Sequence, residues 1–328
     1  MNLKELLDGV TYEIVQGRPE VEVKMIHFDS RKVEKGDLFV AQKGVSADGH
    51  EYIGKAVAAG AVAVVCEVVP EELKEGVVYV KTANSSEALG IMASNFYGNP
   101  SRRMKVVGVT GTNGKTTTTT LVGEIFKNAR RKTFVVGNIG VAVISKALES
   151  DEDDWLVTET SSFQLETTRY FKPMVSAILN LTPDHLNRHH TMEAYGAAKA
   201  KIFANQDENG YCVVNYDDKL CYSLTKGCKA KIVPFSRKET LPFGAFLKGD
   251  KLVIKNEAGE LIELCSRSEL KIIGDHNVEN ALAAAAVCYF AGIDAETIAE
   301  TLKEFGGVEH RIEFSGEING VKFYNDSK

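Results

Sequence analysis

The stretch Lys105-Val-Val-Gly-Val-Thr-Gly111-Thr112-Asn113-Gly114-Lys115-Thr116-Thr117 decides how the rest of the chain is read. Its first six residues form a short apolar run of the kind found in a buried strand, and Thr116 to Arg130 carries helical periodicity. A glycine loop between a strand and a helix is the setting a phosphate-binding loop requires. There the glycines let backbone N–H groups converge on phosphate oxygens, and the helix N-terminus adds its positive end. In this reading Lys115 reaches the terminal phosphates and the Thr116 hydroxyl ligates Mg²⁺. The generic pattern places a Gly five residues before Gly114, where this chain has Val109, so the loop is a shorter variant. A glycine turn with a surface lysine is the bland alternative, and the strand–loop–helix setting argues against it.

Beyond the loop the strand-then-helix alternation continues. Thr133–Val136, Trp155–Thr158, Val175–Leu179 and Tyr211–Val214 read as further buried strands, with helical stretches between most of them. A helix is expected from Thr191 to Ala204, another from Asn277 to Ala291, and a third from Ala295 to Glu304. Such alternation implies a mostly parallel sheet flanked by helices. Residues 243–265, punctuated by Gly244, Gly249 and Gly259, read as a β-hairpin excursion. Before the loop, Leu38–Ala41 and Ala61–Cys66 read as strands, and Tyr52–Ala59 and Ser86–Tyr97 as helices. The turn cluster Gly98-Asn99-Pro100-Ser101 closes this region. The α/β chain is therefore divided into a small N-terminal domain (1–102), a central phosphate-loop domain (103–307) and a stub (308–328). The stub holds a hairpin turned at Asn319-Gly320, and it reads as a third, Rossmann-like domain started and not finished.

Composition narrows the class. With 328 residues, two domains are the prior. The net charge of −6 argues against a nucleic-acid or anionic-membrane surface. Six cysteines without a Cys-x-x-Cys pair give no disulfide framework, which fits a reducing cytosol. No apolar run approaches the roughly 18 residues of a membrane span, and the N-terminus has no signal-like apolar stretch. A cytoplasmic monomer is expected.

Further motifs follow in order: Gly137-Asn138-Ile139-Gly140, Glu159-Thr160-Ser161-Ser162-Phe163-Gln164-Leu165, Asp184-His185-Leu186-Asn187-Arg188-His189, Ala197-Ala198-Lys199, His276-Asn277 with Asn280, His310-Arg311, and Asn325-Asp326-Ser327-Lys328. Taken alone, Glu159 is a carboxylate at the carboxyl edge of a sheet, suited to Mg²⁺. His185 and His189, four apart, could share a helical face as a zinc pair, although no third ligand suggests itself. Asn277 and Asn280 sit where helix capping is the ordinary role. Together with the Gly111–Thr117 loop, these motifs resemble the Mur ligases, which join an amino acid to a carboxylate using ATP, and in particular the D-glutamate-adding branch. The resemblance implies ATP and Mg²⁺ as cofactors. It implies Lys115, Glu159, His185 and Lys199 as catalytic residues, the last carbamylated, with Thr116, Glu159, His185 and that carbamate as metal ligands. It places nucleotide on Gly111 to Thr117, Asn277, Asn280, Arg311 and Asp326. Asn138, Thr160 and Ser161 would face the UDP-N-acetylmuramoyl-peptide substrate, to which an amino acid is then joined.

Residues 1–104 resemble a different branch, the one that extends the UDP-N-acetylmuramoyl-dipeptide. Asp29-Ser30-Arg31, Gly36 to Ala41, Gly44, Asp48-Gly49-His50, Gly60 to Val65 and Asn99-Pro100-Ser101 carry that resemblance, which makes Ser30 the uridine contact. A chimaera, natural or engineered, is the expectation, with its seam at the phosphate loop. A five-stranded Rossmann-like N-terminal domain would contradict it. With only the first strand of a third domain present, the chain as given is expected to bind nucleotide with little ligase activity. A non-catalytic ATP and UDP-sugar binding module is the alternative.

Overall fold

The computed structural model describes residues 1–43, 48–99, 104–147 and 149–327. Gly44, Pro100, Ser101 and Lys328, each part of a motif quoted above, lie outside the described residues. The chain divides into two compact units, Met1–Arg102 and Arg103–Lys328.

The first unit runs α1 (Leu3–Leu6), β1 (Tyr12–Gln16), β2 (Ile26–His27), β3 (Leu38–Val40), α2 (Ile53–Ala59), β4 (Ala63–Cys66), β5 (Val78–Thr82) and α3 (Ser85–Phe96). Its sheet has the order β1-β5-β4-β3-β2. Alternation along the strands builds two cores. Leu38, Val40, Ala63, Val65, Val78 and Val80 face α1 and α3, while Phe39, Val64, Cys66 and Tyr79 face α2. Five strands are present, but not in Rossmann order. β2 to β5 lie side by side in chain order, all parallel, and β1 joins β5 antiparallel at the edge. There is no reversal of strand order, hence no switch-point crevice.

The second unit begins with β6 (Lys105–Thr110), α4 (Lys115–Asn128), β7 (Thr133–Gly137), α5 (Val143–Ala147), β8 (Trp155–Glu159), α6 (Ser162–Glu166) and β9 (Val175–Ile178). It continues with α7 (Leu186–His189), α8 (Met192–Ala200), β10 (Tyr211–Asn215), α9 (Lys219–Ser223), β11 (Lys231–Ser236), β12 (Gly244–Lys248), β13 (Lys251–Lys255) and β14 (Leu261–Ser266). Helices α10 (Asp275–Phe290) and α11 (Ala295–Glu304) precede the hairpin β15 (Glu313–Ile318) and β16 (Val321–Asn325). Nine strands form one sheet in the order β14-β13-β12-β11-β10-β9-β6-β8-β7. Strand β6 is inside it, with β8 on one side and β9 on the other, both parallel. The strands that follow β6 fall first on one side of it (β7, β8) and then on the other (β9, β10), so its loop opens at a switch point.

Two expectations change in detail. The segment 243–265 is no excursion: β12 pairs in parallel with β11, and β13 and β14 follow antiparallel, so the ribbon extends the main sheet. The reason is burial, since Ala245, Leu252, Ile254 and Leu264 join the core beneath α10 and α11. The helix expected over Thr191–Ala204 is α8, which ends at Ala200 and tightens into a 3₁₀ turn at Lys201–Phe203. Strand β11 escapes a sequence reading because Pro234 interrupts it. Its partner β12 joins only from Phe235, past the proline.

Helix α10 fixes the spacing of this unit. Residues Ala281 to Ala286 have no solvent exposure and share one core with Leu121, Val122, Ile125 and Phe126 of α4. A helix apolar on all sides has to be buried on all sides. Methyl-sized contacts leave no space for growth, so Ala284→Leu is expected to destabilise the chain by about 1–3 kcal/mol. A lower urea midpoint at unchanged slope is the corresponding measurement.

Candidate active site

The loop after β6 turns into α4 through Gly114, whose φ of 78° places it in the left-handed region. A β-carbon there would also collide with Asn280 Oδ1, so glycine is required on two counts. The first-turn N–H groups of α4 have no intrahelical acceptors, which leaves them for an anion. Lys115 folds back over the loop, its Nζ donating to the carbonyls of Gly111 (3.0 Å) and Thr112 (2.7 Å). Burial lowers its pKa, against the opposing pull of Glu159 and Asp184.

Glu159 ends β8 level with Val109 of β6, and it is 2% exposed. Its carboxylate accepts from Thr116 Oγ1 (2.9 Å) through one oxygen and from Asn138 Nδ2 (2.9 Å) through the other. Asn138 is brought there by Gly137, which pairs with Glu159 and whose φ of 104° turns the chain against that residue's carbonyl. Hydroxyl and carboxylate are the hard oxygen donors that Mg²⁺ prefers.

Lys199 on α8 is 1% exposed. Its Nζ donates to the carbonyl of Gly111 (2.7 Å) and lies 4.6 Å from the centre of the Tyr195 ring. Burial, followed by repulsion from Lys115, pushes its pKa down to about 7. Arg311 lies within electrostatic reach of Lys115, and its Nε is buried without a hydrogen-bond partner among the described residues. An orphaned guanidinium donor beside the loop lysine suits an anionic oxygen.

A cavity of about 290 Å³ adjoins the loop, lined in part by Asn113, Gly114, Asn180, Phe235, His276 and Asn280. Asn280 reaches Thr118 Oγ1 through Oδ1 (3.3 Å) and donates from Nδ2 to Asn277 Oδ1 (3.1 Å). Asn277 spends its own amide donor on the carbonyl of Ile273 (2.8 Å), so Asn280 lines the cavity and Asn277 braces it from behind.

Other expected residues stand elsewhere. Thr117 is buried at the base of α4. Thr160 turns into the sheet, its hydroxyl donating to the carbonyl of Val109 (3.2 Å), so its side chain is spent on the strand and does not face an open substrate site. Ser161 caps α6 in a capping box with Gln164. His185 is half exposed, with φ 53°, its ring 4.9 Å from that of Phe163. His189 is buried and held by Glu166 at Nδ1 (3.1 Å) and Ser162 at Nε2 (3.0 Å). Both of its nitrogens are engaged, which removes it from a zinc pair with His185. Asp326 is exposed and accepts from Ile312 N–H (3.3 Å) at the foot of the β15–β16 hairpin. Ser30 is buried in the first unit, and its sequence neighbours Asp29 and Arg31 pair with each other. Sequence reasoning left Asp184 and Asn180 without roles. Asp184 acts electrostatically on both lysines. Asn180 follows β9 directly at the carboxyl edge next to the loop strand, and that position was the available signal.

Residues 109–288 match the Mur ligase middle domain, and residues 22–97 match the model described as Mur ligase family, catalytic domain. The chain belongs to the Mur ligase family. Among curated relatives, the UDP-N-acetylmuramoylalanine--D-glutamate ligase of Thermoanaerobacter sp. (strain X514) is 54% identical over 225 residues, which is 68% of this chain and 49% of that protein. The enzyme of the same name from Clostridioides difficile (strain 630) is 50% identical over 222 residues, 68% of this chain and 49% of the relative. The chain thus spans about half the length of the curated relatives it matches. Among solved structures, a UDP-N-acetylmuramoyl-L-alanyl-D-glutamate--2,6-diaminopimelate ligase superposes with a TM-score of 0.74 at 22% identity, over 97% of this chain and 69% of that one. MurF from Acinetobacter baumannii gives 0.67 at 23% identity, over 99% and 72%. These two likenesses are of fold. No helix among the described residues is long and apolar enough to cross a membrane.

The buried Lys199 makes a signed prediction. The folded chain favours the neutral amine below the ordinary lysine value of 10.5, whereas the unfolded chain holds the proton up to that value. Between about pH 7 and 10.5 the unfolded state binds more protons, so stability rises with pH; below about pH 7 the penalty is constant. The gain between about pH 7 and 9 is on the order of 2 kcal/mol for the unmodified amine. Chemical denaturation at both pH values should show that rise in the parent, and Lys199→Met should remove it.

Proposed function

We propose that this chain is the nucleotide-activating core of an ATP-dependent Mur ligase of peptidoglycan precursor synthesis, acting on a UDP-N-acetylmuramoyl-peptide. The observation that carries the reading is Glu159, whose carboxylate joins the loop hydroxyl of Thr116 to Asn138 beside the loop lysine. The D-glutamate branch is favoured for the second unit by identity at and above half over some 225 residues. The first unit carries the features of the dipeptide-extending branch, with Ser30 as its uridine contact, so the chain is read as a chimaera of the two.

The reaction would run in two steps. An oxygen of the substrate carboxylate attacks the γ-phosphorus of ATP, the bond to the β-phosphate oxygen breaks, and ADP leaves an acyl phosphate. The amine of an amino acid then attacks the acyl carbon, inorganic phosphate departs with the bonding pair, and the amine loses a proton as the amide forms. Phosphoryl transfer of this kind rests on positioning and charge neutralisation. Lys115, the first-turn amides of α4 and Arg311 supply positive charge where the phosphates would lie. Thr116 and Glu159 would hold Mg²⁺, which neutralises charge across two phosphates when bound; His185 and a carbamate on Lys199 would serve a second ion. The depressed pKa of Lys199 suits that modification, because the neutral amine is the form that adds to carbon dioxide. Asn280 and the cavity beside it would take the base.

Calorimetric titration with ATP and Mg²⁺ tests the reading. The parent chain should bind, and Lys115→Ala should weaken binding by about tenfold or more, the loss of a charge-assisted contact worth roughly 1.5–3 kcal/mol. A parent chain that takes up no ATP would overturn it.

A further inference from the structure

We propose that Asn180 is a positioning residue that divides the phosphate loop into a braced half and a phosphate-facing half. Its side-chain oxygen accepts the backbone N–H groups of both Thr112 (3.1 Å) and Asn113 (2.8 Å), and its side-chain nitrogen donates to the carbonyl of Asn113 (3.1 Å). The backbone repeats the contact, for Thr112 N–H also reaches the carbonyl of Asn180 (3.1 Å). Two residues on, Thr182 N–H donates to Thr112 Oγ1 (3.1 Å), which in turn donates to the carbonyl of Thr182 (3.2 Å). Residues 180–182 are thus zipped along residues 112–113.

The brace is itself anchored. Leu179 N–H donates to the carbonyl of Thr110 (3.0 Å), Asn215 holds the carbonyl of Leu179 (2.9 Å), and Leu181 N–H donates to Asp218 (2.7 Å). The loop amides of Thr112 and Asn113 are therefore committed to protein acceptors. Donors for phosphate are left at the first turn of α4, over Lys115, Thr116 and Thr117. A loop residue ordered before binding does not have to be ordered by the ligand, which is where such a brace adds affinity. An amide side chain supplies both needs from separate atoms, an oxygen that accepts the two N–H groups and a nitrogen that donates to the neighbouring carbonyl. Asn180 also lines the cavity beside Gly114, so the braced half and the cavity wall share one side chain.

This inference rests on the proposal that the loop holds ATP, and the experiment separates the two. Amide hydrogen exchange is measured on the full, nucleotide-free chain for the parent, Asn180→Leu and Asn180→Asp. ATP with Mg²⁺ and ADP are then titrated calorimetrically into each. Asn180→Leu should speed exchange at Asn113 by about tenfold or more and at Thr112, which keeps the Asn180 backbone carbonyl, by less, whereas Asn180→Asp, which keeps the accepting oxygen, should retain most of the protection at both. Asn180→Leu should also weaken ATP and ADP by about tenfold. Unchanged exchange at Asn113 in Asn180→Leu, or unchanged affinity for both nucleotides, would overturn the assignment. A parent that binds no ATP while the exchange arm behaves as expected would overturn the ATP reading and leave the brace standing.

Discussion

The carbonyl oxygen of Gly111 accepts hydrogen bonds from two lysine ammonium groups, Lys115 and Lys199, and much of the site follows from that crowding. Both side chains are drawn into the protein, one from the first turn of α4 and the other from α8. Two like charges on one oxygen repel, and burial raises the penalty. The face of Tyr195 and the charge of Asp184 relieve part of it. What remains falls on Lys199, the more buried of the two, which gives up its proton more readily than a free lysine. The result is a pocket biased towards anions: the Lys115 ammonium, the more readily deprotonated Lys199, a helix N-terminus and the orphaned Nε of Arg311.

That crowding is possible because the sheet delivers three strand ends to one place. β6 carries the loop, β8 places Glu159 on one side, and β9 places Asn180 on the other. The two flanking residues hold different parts of the loop. Glu159 takes the hydroxyl of Thr116 within α4, and Asn180 takes the amides before Gly114. The loop is therefore shaped from outside itself, and its own sequence is only half of the reason for its conformation.

This division explains what could be read from residues alone. The loop, the strands of the second unit and the long helices announce themselves through glycine placement, apolar runs and period, so the α/β architecture was legible. Glu159 was legible as a metal candidate from its place at a strand's carboxyl end, whereas Lys199 was legible only through resemblance, because a helix lysine looks ordinary in isolation. The pairing that makes them chemical, Thr116 to Glu159 and Lys199 to Gly111, joins residues 43 and 88 positions apart. Thr160 differs: it follows Glu159 just past the end of β8, and its hydroxyl is taken up by the carbonyl of Val109. Asn180 was overlooked because an asparagine after a strand reads as a turn residue. The ribbon β12–β14 was misjudged because its glycines suggested detachment, whereas its apolar face was needed to cover α10 and α11.

The alanine run of α10 bears on the cavity as well as on the core. Asn280 stands immediately before Ala281, and its side-chain oxygen, which accepts from Thr118, lies where a β-carbon on Gly114 would be. The gap between α10 and α4 is set by methyl groups at van der Waals contact, so the wall of the slot cannot drift without those methyls moving. Residues outside the cavity lining thereby help to set how wide that cavity is. A change in the size of that cavity can accordingly originate in alanines a full helical turn away, where no comparison of lining residues would look for it.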